Sequence, residues 1–340
     1  MTHFMKILSF FTKLLHFFPE EFSHLLALRS LKLLHFLGFL ALLVPKQNFC
    51  EAGAQLKKKE DFLNNFKNKV GFAAGLDKNG DYIDCLGALG VAFIEVGTVT
   101  PKQQNGNPKP RLFRNKKEQS LINRLGFNNK GVDHLVKRLK NRKSKIIVGT
   151  SIGKNFNTPI ELAYEDYLSC LEKVYEYSDY IAVNISSPNT ESLRELSSED
   201  YLKFLLGKIK SKQENLSTLH GYKPILIKIS PDEEYENLEA ICNSILSYKL
   251  DGIICTNTTV DHQDKNEKGG LSGAPLKTKA TDKLLFVKNI VKNDILIIAS
   301  GGVLSTSDYE EKIDAGADLV QIYTGFIFKG PKLIFELVNL

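Results

Sequence analysis

The sequence lacks the cysteine spacing of a metal site or an iron–sulfur cluster. Its five cysteines, Cys50, Cys85, Cys170, Cys242 and Cys255, are scattered, with no Cys-x-x-Cys pair and no histidine nearby at ligand spacing. Isolated thiols of this kind are typical of a reducing compartment, where disulfides are rare. The sequence therefore predicts reduced cysteines in the cytosol and no metal site.

The sequence also lacks an apolar run long enough to cross a bilayer. The longest run, residues 33–44, has 12 residues and is interrupted by His35. A membrane-spanning helix needs about 20 apolar residues. We therefore expect this segment not to span a membrane.

Excess positive charge is missing from the main body of the chain. Of the 45 basic residues, eight lie in residues 1–59, where only three of the 39 acidic residues lie. The remainder holds 37 basic against 36 acidic residues and is almost neutral. Because nucleic-acid binding needs a basic patch on the folded body, no nucleic-acid partner is predicted.

The N-terminal segment combines this charge with an amphipathic helical pattern. Apolar residues recur at helical spacing at Phe4, Ile7, Leu8, Phe11, Leu15 and Phe18. Lys6 and Lys13 lie on the opposite face, and a second leucine-rich helix follows the break at Pro19. We predict that residues 1–45 form a helical hairpin lying on an anionic membrane surface, joined by a linker, residues 46–69, to the main body. The alternative is a helical pair packed on its own domain.

From residue 70 onward, β-rich apolar runs alternate with helical patterns. The runs are Val70–Asp77, Val91–Thr98, Lys145–Gly153, Tyr180–Ser187, Pro224–Ser230, Asp251–Thr258, Ile295–Gly302 and Leu319–Thr324. Eight β-then-α units in this length predict an α/β fold, a (β/α)8 TIM barrel over residues 70–340. A doubly wound open sheet is the main competitor, but eight near-continuous hydrophobic strands favour closure.

Polar residues cluster where these predicted strands end. They are Asp77, Lys78, Thr98, Asn184, Ser187, Lys228 and Thr256 to Thr258. Long non-helical stretches follow the second, fourth and sixth strands, at residues 99–127, 188–198 and 259–277. Segments that follow strands lie at the carboxyl end of a barrel, where barrel active sites are built. We therefore expect one active site at this end.

The stretch from Asn184 to Thr190 is the most informative of these strand ends. It places two carboxamides and two serines within a few residues of a buried strand. A carboxamide offers both a donor and an acceptor, which suits the edge of a cyclic amide such as a pyrimidine. A serine can accept a proton there if water is excluded. The alternative is a polar junction that caps the next helix.

Glycine-rich turns after the last three strands predict a phosphate site. They are residues 269–273, 300–302 and 323–325, and closely spaced backbone N–H groups there can hold a phosphate. A phosphate-bearing ligand, a cation at Lys228 and carboxamides for a planar heterocycle together suggest bound flavin mononucleotide (FMN). The alternative for Lys228 is an ion pair with a carboxylate of the barrel.

Four motifs in order resemble the dihydroorotate dehydrogenase family. They are residues 73–80 (AAGLDKNG), 95–101 (EVGTVTP), 122–128 (INRLGFN) and 184–190 (NISSPNT). The N-terminal helices and Ser187 make the chain similar to the membrane-associated, quinone-dependent class, class 2. In the soluble class a cysteine usually occupies the position of Ser187. The resemblance implies oxidation of dihydroorotate to orotate in de novo pyrimidine (UMP) biosynthesis, through FMN and a membrane quinone.

The resemblance also implies roles for individual residues. Ser187 is the expected catalytic base, which removes the C5 proton while the C6 hydride passes to the flavin. Flavin-binding residues are expected at Ala74, Gly75, Leu76, Asp77, Lys78, Thr98, Asn184, Lys228, Thr256, Gly273, Gly302, Tyr323 and Thr324. Substrate-binding residues are expected at Lys78, Asn123, Arg124, Leu125, Gly126, Phe127, Asn184, Asn189, Asn257 and Thr258. Arg114, Tyr323 and His24 are expected to border a quinone tunnel, and Thr190 is a candidate proton relay.

One position departs from the family pattern, because Ser151 stands where an asparagine is usual. The shorter side chain puts its contact with flavin in doubt.

Two other functions remain open. One is a soluble dihydroorotate dehydrogenase that uses fumarate or NAD, and the other is a non-redox phosphate-binding barrel with Lys228 as a Schiff-base candidate. Ser187 and the basic apolar hairpin favour the quinone-dependent enzyme. We predict a peripheral protein on the cytoplasmic face of a bacterial inner membrane, since no acid-free, Arg-rich transit segment precedes the hairpin.

Overall fold

A closed barrel of parallel strands forms the body of the protein. The computed structural model describes residues 10–42, 59–189, 196, 199–262 and 267–340. The strands in these residues are β1 (Val70–Phe72), β2 (Phe93–Val99), β3 (Leu112–Asn115), β4 (Ser120–Asn123), β5 (Ile147–Ile152), β6 (Tyr180–Asn184), β7 (Ile225–Lys228), β8 (Gly252–Cys255), β9 (Gly270–Gly273), β10 (Leu296–Ser300) and β11 (Leu319–Ile322). All except β3, β4 and β9 belong to the barrel, which closes where β1 pairs with β2 and β11. The predicted (β/α)8 barrel is confirmed.

Helices follow the barrel strands and cover the outside of the barrel, and further helices precede the first strand. They are α1 (Glu20–Phe36), α2 (Lys59–Leu63), α3 (Ile83–Gly87), α4 (Val132–Lys140), α5 (Ala163–Val174), α6 (Glu199–His220), α7 (Tyr235–Ser247), α8 (Lys277–Val291), α9 (Thr306–Asp314), α10 (Thr324–Lys329) and α11 (Pro331–Val338). One large cluster of buried side chains lies between this layer and the strands. Because each strand is covered on both faces, the strands read as near-continuous apolar runs.

A second cluster of apolar side chains fills the amino-terminal half of the barrel interior. Phe93, Tyr180 and Leu226 point inward from three strands, and Phe62 of α2 packs beneath them. The Phe62 and Tyr180 ring centroids are 6.1 Å apart. Phe62 therefore closes the amino-terminal end of the barrel interior.

A three-stranded antiparallel sheet covers part of the carboxyl end. The hairpin β3–β4 lies in the segment after β2, and β9, which follows β8, pairs with β4. The sequence predicted long non-helical segments here but not a sheet. Each of these strands has only four residues, too few for an alternating pattern to be recognised.

The N-terminal helices pack on the barrel with one face and expose apolar side chains on the other. Residues 10–15 are helical, and α1 begins directly after Pro19. Leu28 and Leu31 of α1 are buried in the main core. The exposed apolar side chains include Phe10, Phe11, Leu14, Phe17, Phe18, Phe22, Leu25, Leu26, Leu33, Phe36, Leu37 and Phe39.

None of the described helices combines the length and the hydropathy that crossing a bilayer requires. Residues 1–9 and 43–45 of the predicted hairpin, residues 46–58 of the predicted linker and Thr190 lie outside the described residues. The boundaries at residues 45 and 69 stay a prediction.

Candidate active site

The carboxyl end of the barrel opens into a polar cavity of about 1060 Å³, including its open mouth. Residues at the ends of β1, β2, β6, β7, β8, β10 and β11 line it. Of the predicted site residues, its wall contains Ala74, Gly75, Lys78, Thr98, Asn123, Leu125, Gly126, Phe127, Asn184, Ser187, Asn189, Lys228, Thr256, Asn257, Thr258, Gly273, Gly302, Tyr323 and Thr324. Residues far apart in the chain are therefore brought to one place, as expected for a barrel active site.

Asn184 is held in one orientation at the centre of this wall. Its Nδ2 donates to Thr98 Oγ1 at 2.9 Å, and its Oδ1 accepts from Asn257 Nδ2 at 3.3 Å. Asn257 Nδ2 also donates to Ser186 Oγ at 3.1 Å. Because these partners come from three different strand ends, the carboxamide is fixed before any ligand binds. A fixed donor and acceptor pair can recognise one edge of a planar heterocycle.

Two further carboxamides close the other side of the polar cavity. Asn189 Nδ2 donates to Asn123 Oδ1 at 3.0 Å, and Asn123 Nδ2 donates to the Gly270 carbonyl at 3.2 Å. The buried hydroxyl of Thr258, which belongs to the same wall, has no hydrogen-bond partner within the described residues. An unsatisfied buried hydroxyl in a wall that also contains carboxamides points to a polar ligand at this place.

Ser187 lies in the same wall and is only 5% exposed. Its Oγ accepts a hydrogen bond from the Asn189 N–H at 3.3 Å. This donor can stabilise negative charge that develops on the oxygen when the hydroxyl proton leaves.

Two lysines bring positive charge into the polar cavity. Lys78 Nζ donates to the Gly75 carbonyl at 2.8 Å, and burial, with Arg111 adding to it, lowers the pKa of Lys78 to about 8. Burial also lowers the pKa of Lys228, and the carboxylate of Glu95 opposes that shift. Lys228 Nζ lies 3.9 Å from Glu95 Oε1. The ion pair with a carboxylate of the barrel, which was the alternative expectation for Lys228, is therefore present.

Three predicted ligand contacts lie outside the wall of the polar cavity. The Asp77 carboxylate accepts from the backbone N–H groups of Asp81 and Tyr82, so it shapes the turn after β1. Leu76 faces the apolar cavity described below. Arg124 points away, and its Nη1 donates to Glu267 Oε2 at 2.7 Å. These three side chains do not face the ligand space of the polar cavity.

An apolar cavity of about 1750 Å³ lies between the N-terminal helices and the barrel. Residues 11–34 form one side of it, and β3, β4 and α10 contribute to the other. Leu112, Leu121 and Tyr323 line both this apolar cavity and the polar cavity. The two cavities therefore share one wall.

All three residues predicted for a quinone tunnel line the apolar cavity, namely His24, Arg114 and Tyr323. Arg114 Nη2 donates to the Phe18 carbonyl at 3.0 Å, which ties β3 to the turn before α1. Burial raises the pKa of Tyr323 to about 12, so its hydroxyl stays protonated. Burial lowers the pKa of His24 to about 4, with Lys78 adding to the effect.

The neutral His24 predicts how stability depends on pH. Because its pKa in the folded protein lies below the ordinary value of 6.5, its stabilising contribution is complete above pH 6.5. It is lost as the pH falls from there toward 4. We expect His24→Asn to remove up to about 1.4 kcal/mol per pH unit of this acid sensitivity. Urea unfolding of both proteins between pH 7 and 4.5 measures it, and parallel curves contradict it.

Comparison with known protein families gives a match over most of the chain. The family model described as dihydroorotate dehydrogenase matches residues 58–339. The chain belongs to the dihydroorotate dehydrogenase family. The predicted family is therefore confirmed, and with it a flavin-dependent oxidoreductase.

Individual members of this family are similar to the chain over most of its length. A "Dihydroorotate dehydrogenase (quinone)" of Aliivibrio fischeri (strain ATCC 700601 / ES114) is 47% identical over 326 residues, covering 94% of this chain and 95% of the relative. A protein of the same name from Shewanella sediminis (strain HAW-EB3) is 52% identical over 281 residues, covering 81% and 83%. A crystal structure of DHODH from Eimeria tenella in complex with ferulenol superposes with a TM-score of 0.82 at 32% identity, covering 95% of this chain and 90% of that one.

Sequence reasoning missed several residues of this dihydroorotate dehydrogenase site. Gln321, Leu112 and Leu121 all line the polar cavity. A signal was available for Gln321, since it is the one polar residue in strand β11, which reads Leu-Val-Gln-Ile. The leucines carried no such signal, because their role depends on a sheet that forms from distant segments.

Ser151, the departure from the family pattern, lies behind the wall of the polar cavity. It is fully buried, and its Oγ lies 2.9 Å from Thr98 Oγ1. Thr98 Oγ1 in turn accepts from Asn184. In this chain Ser151 therefore supports the carboxamide of Asn184 through Thr98.

Proposed function

We propose that the protein oxidises dihydroorotate to orotate in de novo pyrimidine biosynthesis and delivers the two electrons to a membrane quinone, with FMN as its cofactor. One observation carries this proposal: the polar cavity and the apolar cavity share the wall formed by Leu112, Leu121 and Tyr323. A charged heterocycle fits the first cavity, and a hydrophobic electron acceptor fits the second. Bound FMN would supply a hydride acceptor for dihydroorotate and an electron donor for the quinone.

The residues of the polar cavity fit FMN. Ser300, Gly301, Gly302, Thr324 and Gly325 would hold its phosphate at the ends of β10 and β11. Backbone can approach closely at Gly302, where φ is +78° and a Cβ atom would lie 2.3 Å from Lys277 Cα. In the part of the chain that is described, the buried Gln321 Oε1 also has no hydrogen-bond partner. A hydrogen-bond donor on the flavin ring would satisfy this oxygen of Gln321.

The fit predicts that Gly302→Ala abolishes flavin binding. The added Cβ atom clashes with Lys277, and the positive φ costs about 1–2 kcal/mol in addition. Gly221→Ala is the matched control, because φ there is +74° and nothing lies within 4 Å of the added atom. We expect the control to lose a similar 1–2 kcal/mol of unfolding free energy and to keep its flavin. The measurement is flavin absorbance per mole of purified protein. A Gly302→Ala protein that carries its full amount of flavin would refute the proposed phosphate site.

Ser187 is the residue proposed to act as the base toward dihydroorotate. Asn123, Asn184, Asn189 and Asn257 would hold the pyrimidine ring so that its C5 proton faces the Ser187 oxygen. The Asn189 N–H would stabilise the deprotonated Ser187 oxygen, which is the form that accepts the C5 proton. Lys78 would offset the negative charge of the substrate carboxylate.

Serine is a weak base in water, so the site must exclude water when it acts. The loop from Asn123 to Phe127 lies over the polar cavity, and Phe127 is only 9% exposed. Asn107 holds this loop by donating to the Arg124 and Leu125 carbonyls, and Gln104 Nε2 donates to the Gly126 carbonyl at 3.0 Å. These hydrogen bonds support a role for the loop as the cover of the site.

The exposed apolar face of the N-terminal helices supports attachment to a membrane surface. Phe17 is 77% exposed and Phe36 is 84% exposed, and the basic residues Lys13, Arg29 and Lys32 of the same N-terminal segment are also exposed. Aromatic residues beside cations are typical of helices that lie in the interface of an anionic bilayer. We propose a peripheral attachment, on the cytoplasmic face of a bacterial inner membrane, with the apolar cavity open toward the lipid.

Electron-acceptor specificity tests this function. The purified protein with dihydroorotate is expected to reduce a quinone and to leave both fumarate and NAD unreduced. Turnover with fumarate or NAD at the rate seen with the quinone would support the soluble type of the enzyme instead.

A further inference from the structure

A buried carboxylate lies directly below the polar cavity, and the reaction proposed above assigns it no role. Glu95 is on β2, two residues after Phe93, so its side chain also points into the barrel. It is completely buried. A charged residue at such a place is costly unless it is paired and hydrogen-bonded. Its partners therefore indicate what it does.

One oxygen of Glu95 is held by two donors from other strands. Tyr180 OH donates to Oε2 at 3.1 Å, and Gln321 Nε2 donates to the same oxygen at 2.7 Å. The Tyr180 ring fits inside the barrel because position 149 is glycine, where a Cβ atom would lie 2.0 Å from that ring. Two donors on one oxygen are the partners of an ionised carboxylate. They also fix the direction of the other oxygen.

That second oxygen, Oε1, is directed toward Lys228. It lies 3.9 Å from Lys228 Nζ and has no hydrogen-bond partner among the residues that the structure describes. Lys228 lines the polar cavity and is 5% exposed. The ammonium group therefore lies between a fixed carboxylate below and the ligand space above.

Other titratable groups near Lys228 are arranged differently. Cys255 on the neighbouring strand β8 interacts with Cys242 and Lys312 on the outside of the barrel. Tyr180 on β6 reaches Glu95 and not the ammonium group. Lys78 and Tyr323 line the same cavity from the ends of β1 and β11. Glu95 is the charged group whose attraction opposes the effect of burial on Lys228.

We propose that Glu95 is a positioning residue for Lys228, which keeps this lysine protonated and fixed at the edge of the flavin ring. Without the carboxylate, burial favours the neutral amine. With it, Lys228 stays charged in both redox states of the enzyme, so reduction of the cofactor requires no extra proton at this lysine. This inference depends on the flavin site proposed above.

The test is the pH dependence of the flavin midpoint potential in the holoenzyme, for the wild type and Glu95→Gln. In the variant, Lys228 is expected to lose its proton at a lower pH than in the wild type, because burial lowers its pKa and the opposing carboxylate is gone. Reduction then draws one proton back onto it. We expect a segment in which the potential falls more steeply with pH than in the wild type. Uptake of one extra proton with two electrons changes the equilibrium constant of reduction tenfold per pH unit. The midpoint potential of the variant should therefore fall by about 30 mV more per pH unit than that of the wild type.

Two further variants identify the group that titrates. Tyr180→Phe removes one donor to Glu95 but neither charge, and its curve is expected to run parallel to the wild type. Glu95→Gln/Lys228→Met lacks the titrating amine, and the steep segment is expected to disappear. Parallel curves for Glu95→Gln and the wild type overturn the proposal, and so does a steep segment that persists in the double variant.

Unfolding of the apo-proteins gives a readout that needs no flavin. At pH 7, Glu95→Gln leaves a buried ammonium group without its partner and is expected to be less stable than the double variant, in which both charges are gone. A double variant no more stable than the single one contradicts the pairing, even if Glu95→Gln fails to fold. A wild-type protein that binds no flavin would instead refute the proposed function, so the two failures are distinguishable.

Discussion

Ser187→Ala is expected to slow reduction of the bound flavin by dihydroorotate by about 10²- to 10⁴-fold, the usual contribution of a positioned base. Ser187 is the hydroxyl that lies among the carboxamides of the polar cavity, with an N–H group placed to stabilise its charge. The variant should still bind flavin, because the proposed phosphate site lies at the ends of β10 and β11, whereas Ser187 follows β6. Anaerobic stopped-flow absorbance at saturating dihydroorotate measures the rate of reduction directly.

Ser187→Cys and Ser186→Ala are the matched controls for this result. A cysteine thiol is also a proton acceptor, so Ser187→Cys should recover part of the rate. Ser186 is a buried neighbour that accepts from Asn257 and does not line the cavity, so losing its hydroxyl should have a smaller effect. A reduction rate in Ser187→Ala equal to that of the wild type would show that another group removes the proton.

Blocking the apolar cavity is expected to uncouple the two half-reactions. Ala27 of α1 lines this cavity, so Ala27→Trp should fill part of it. We expect turnover with a long-chain quinone to fall by roughly 10²-fold, as when a reacting group is displaced by about 1 Å or more. Anaerobic reduction of the flavin by dihydroorotate should be unchanged. Steady-state and single-turnover rates measured on the same preparation separate the two effects.

Leu25→Trp is the control, since Leu25 lies on the same helix but is exposed on its outer face. It adds the same side chain without entering the cavity, so quinone turnover should persist. Deletion of residues 1–40 should act like Ala27→Trp, with flavin reduction preserved and quinone turnover lost. Equal quinone kinetics in Ala27→Trp and Leu25→Trp would exclude the apolar cavity as the route to the flavin.

The barrel could be predicted from the sequence because its strands are buried on both faces. Each strand is a short apolar run, and helical patterns separate the runs, so their order alone gives the fold. The strand ends were less predictable. The run starting at Val70 was predicted to reach Asp77, but β1 ends at Phe72. The residues after it turn to form the cavity wall, and this turn depends on contacts with other strands.

The sequence could indicate where in the barrel the site lies, but not which buried hydrogen bonds hold its side chains in place. Polar residues at strand ends indicate a shared cavity, because barrel geometry brings these ends together. Glu95 and Gln321 also interrupt apolar runs, yet only the folded barrel places Tyr180 and Gln321 on one oxygen of Glu95. The direction of a side chain in a turn is equally hidden from the sequence, so the positions of Asp77 and Arg124 outside the cavity wall could not be predicted.

We propose that electrons pass from dihydroorotate in the polar cavity to a quinone in the apolar cavity through one bound flavin. A visible spectrum of the purified protein under anaerobic conditions tests it most directly. We predict a yellow protein whose absorbance bleaches when dihydroorotate is added and returns when a quinone follows. A protein that remains colourless when supplied with FMN, or whose yellow colour does not change on addition of dihydroorotate, would contradict the account.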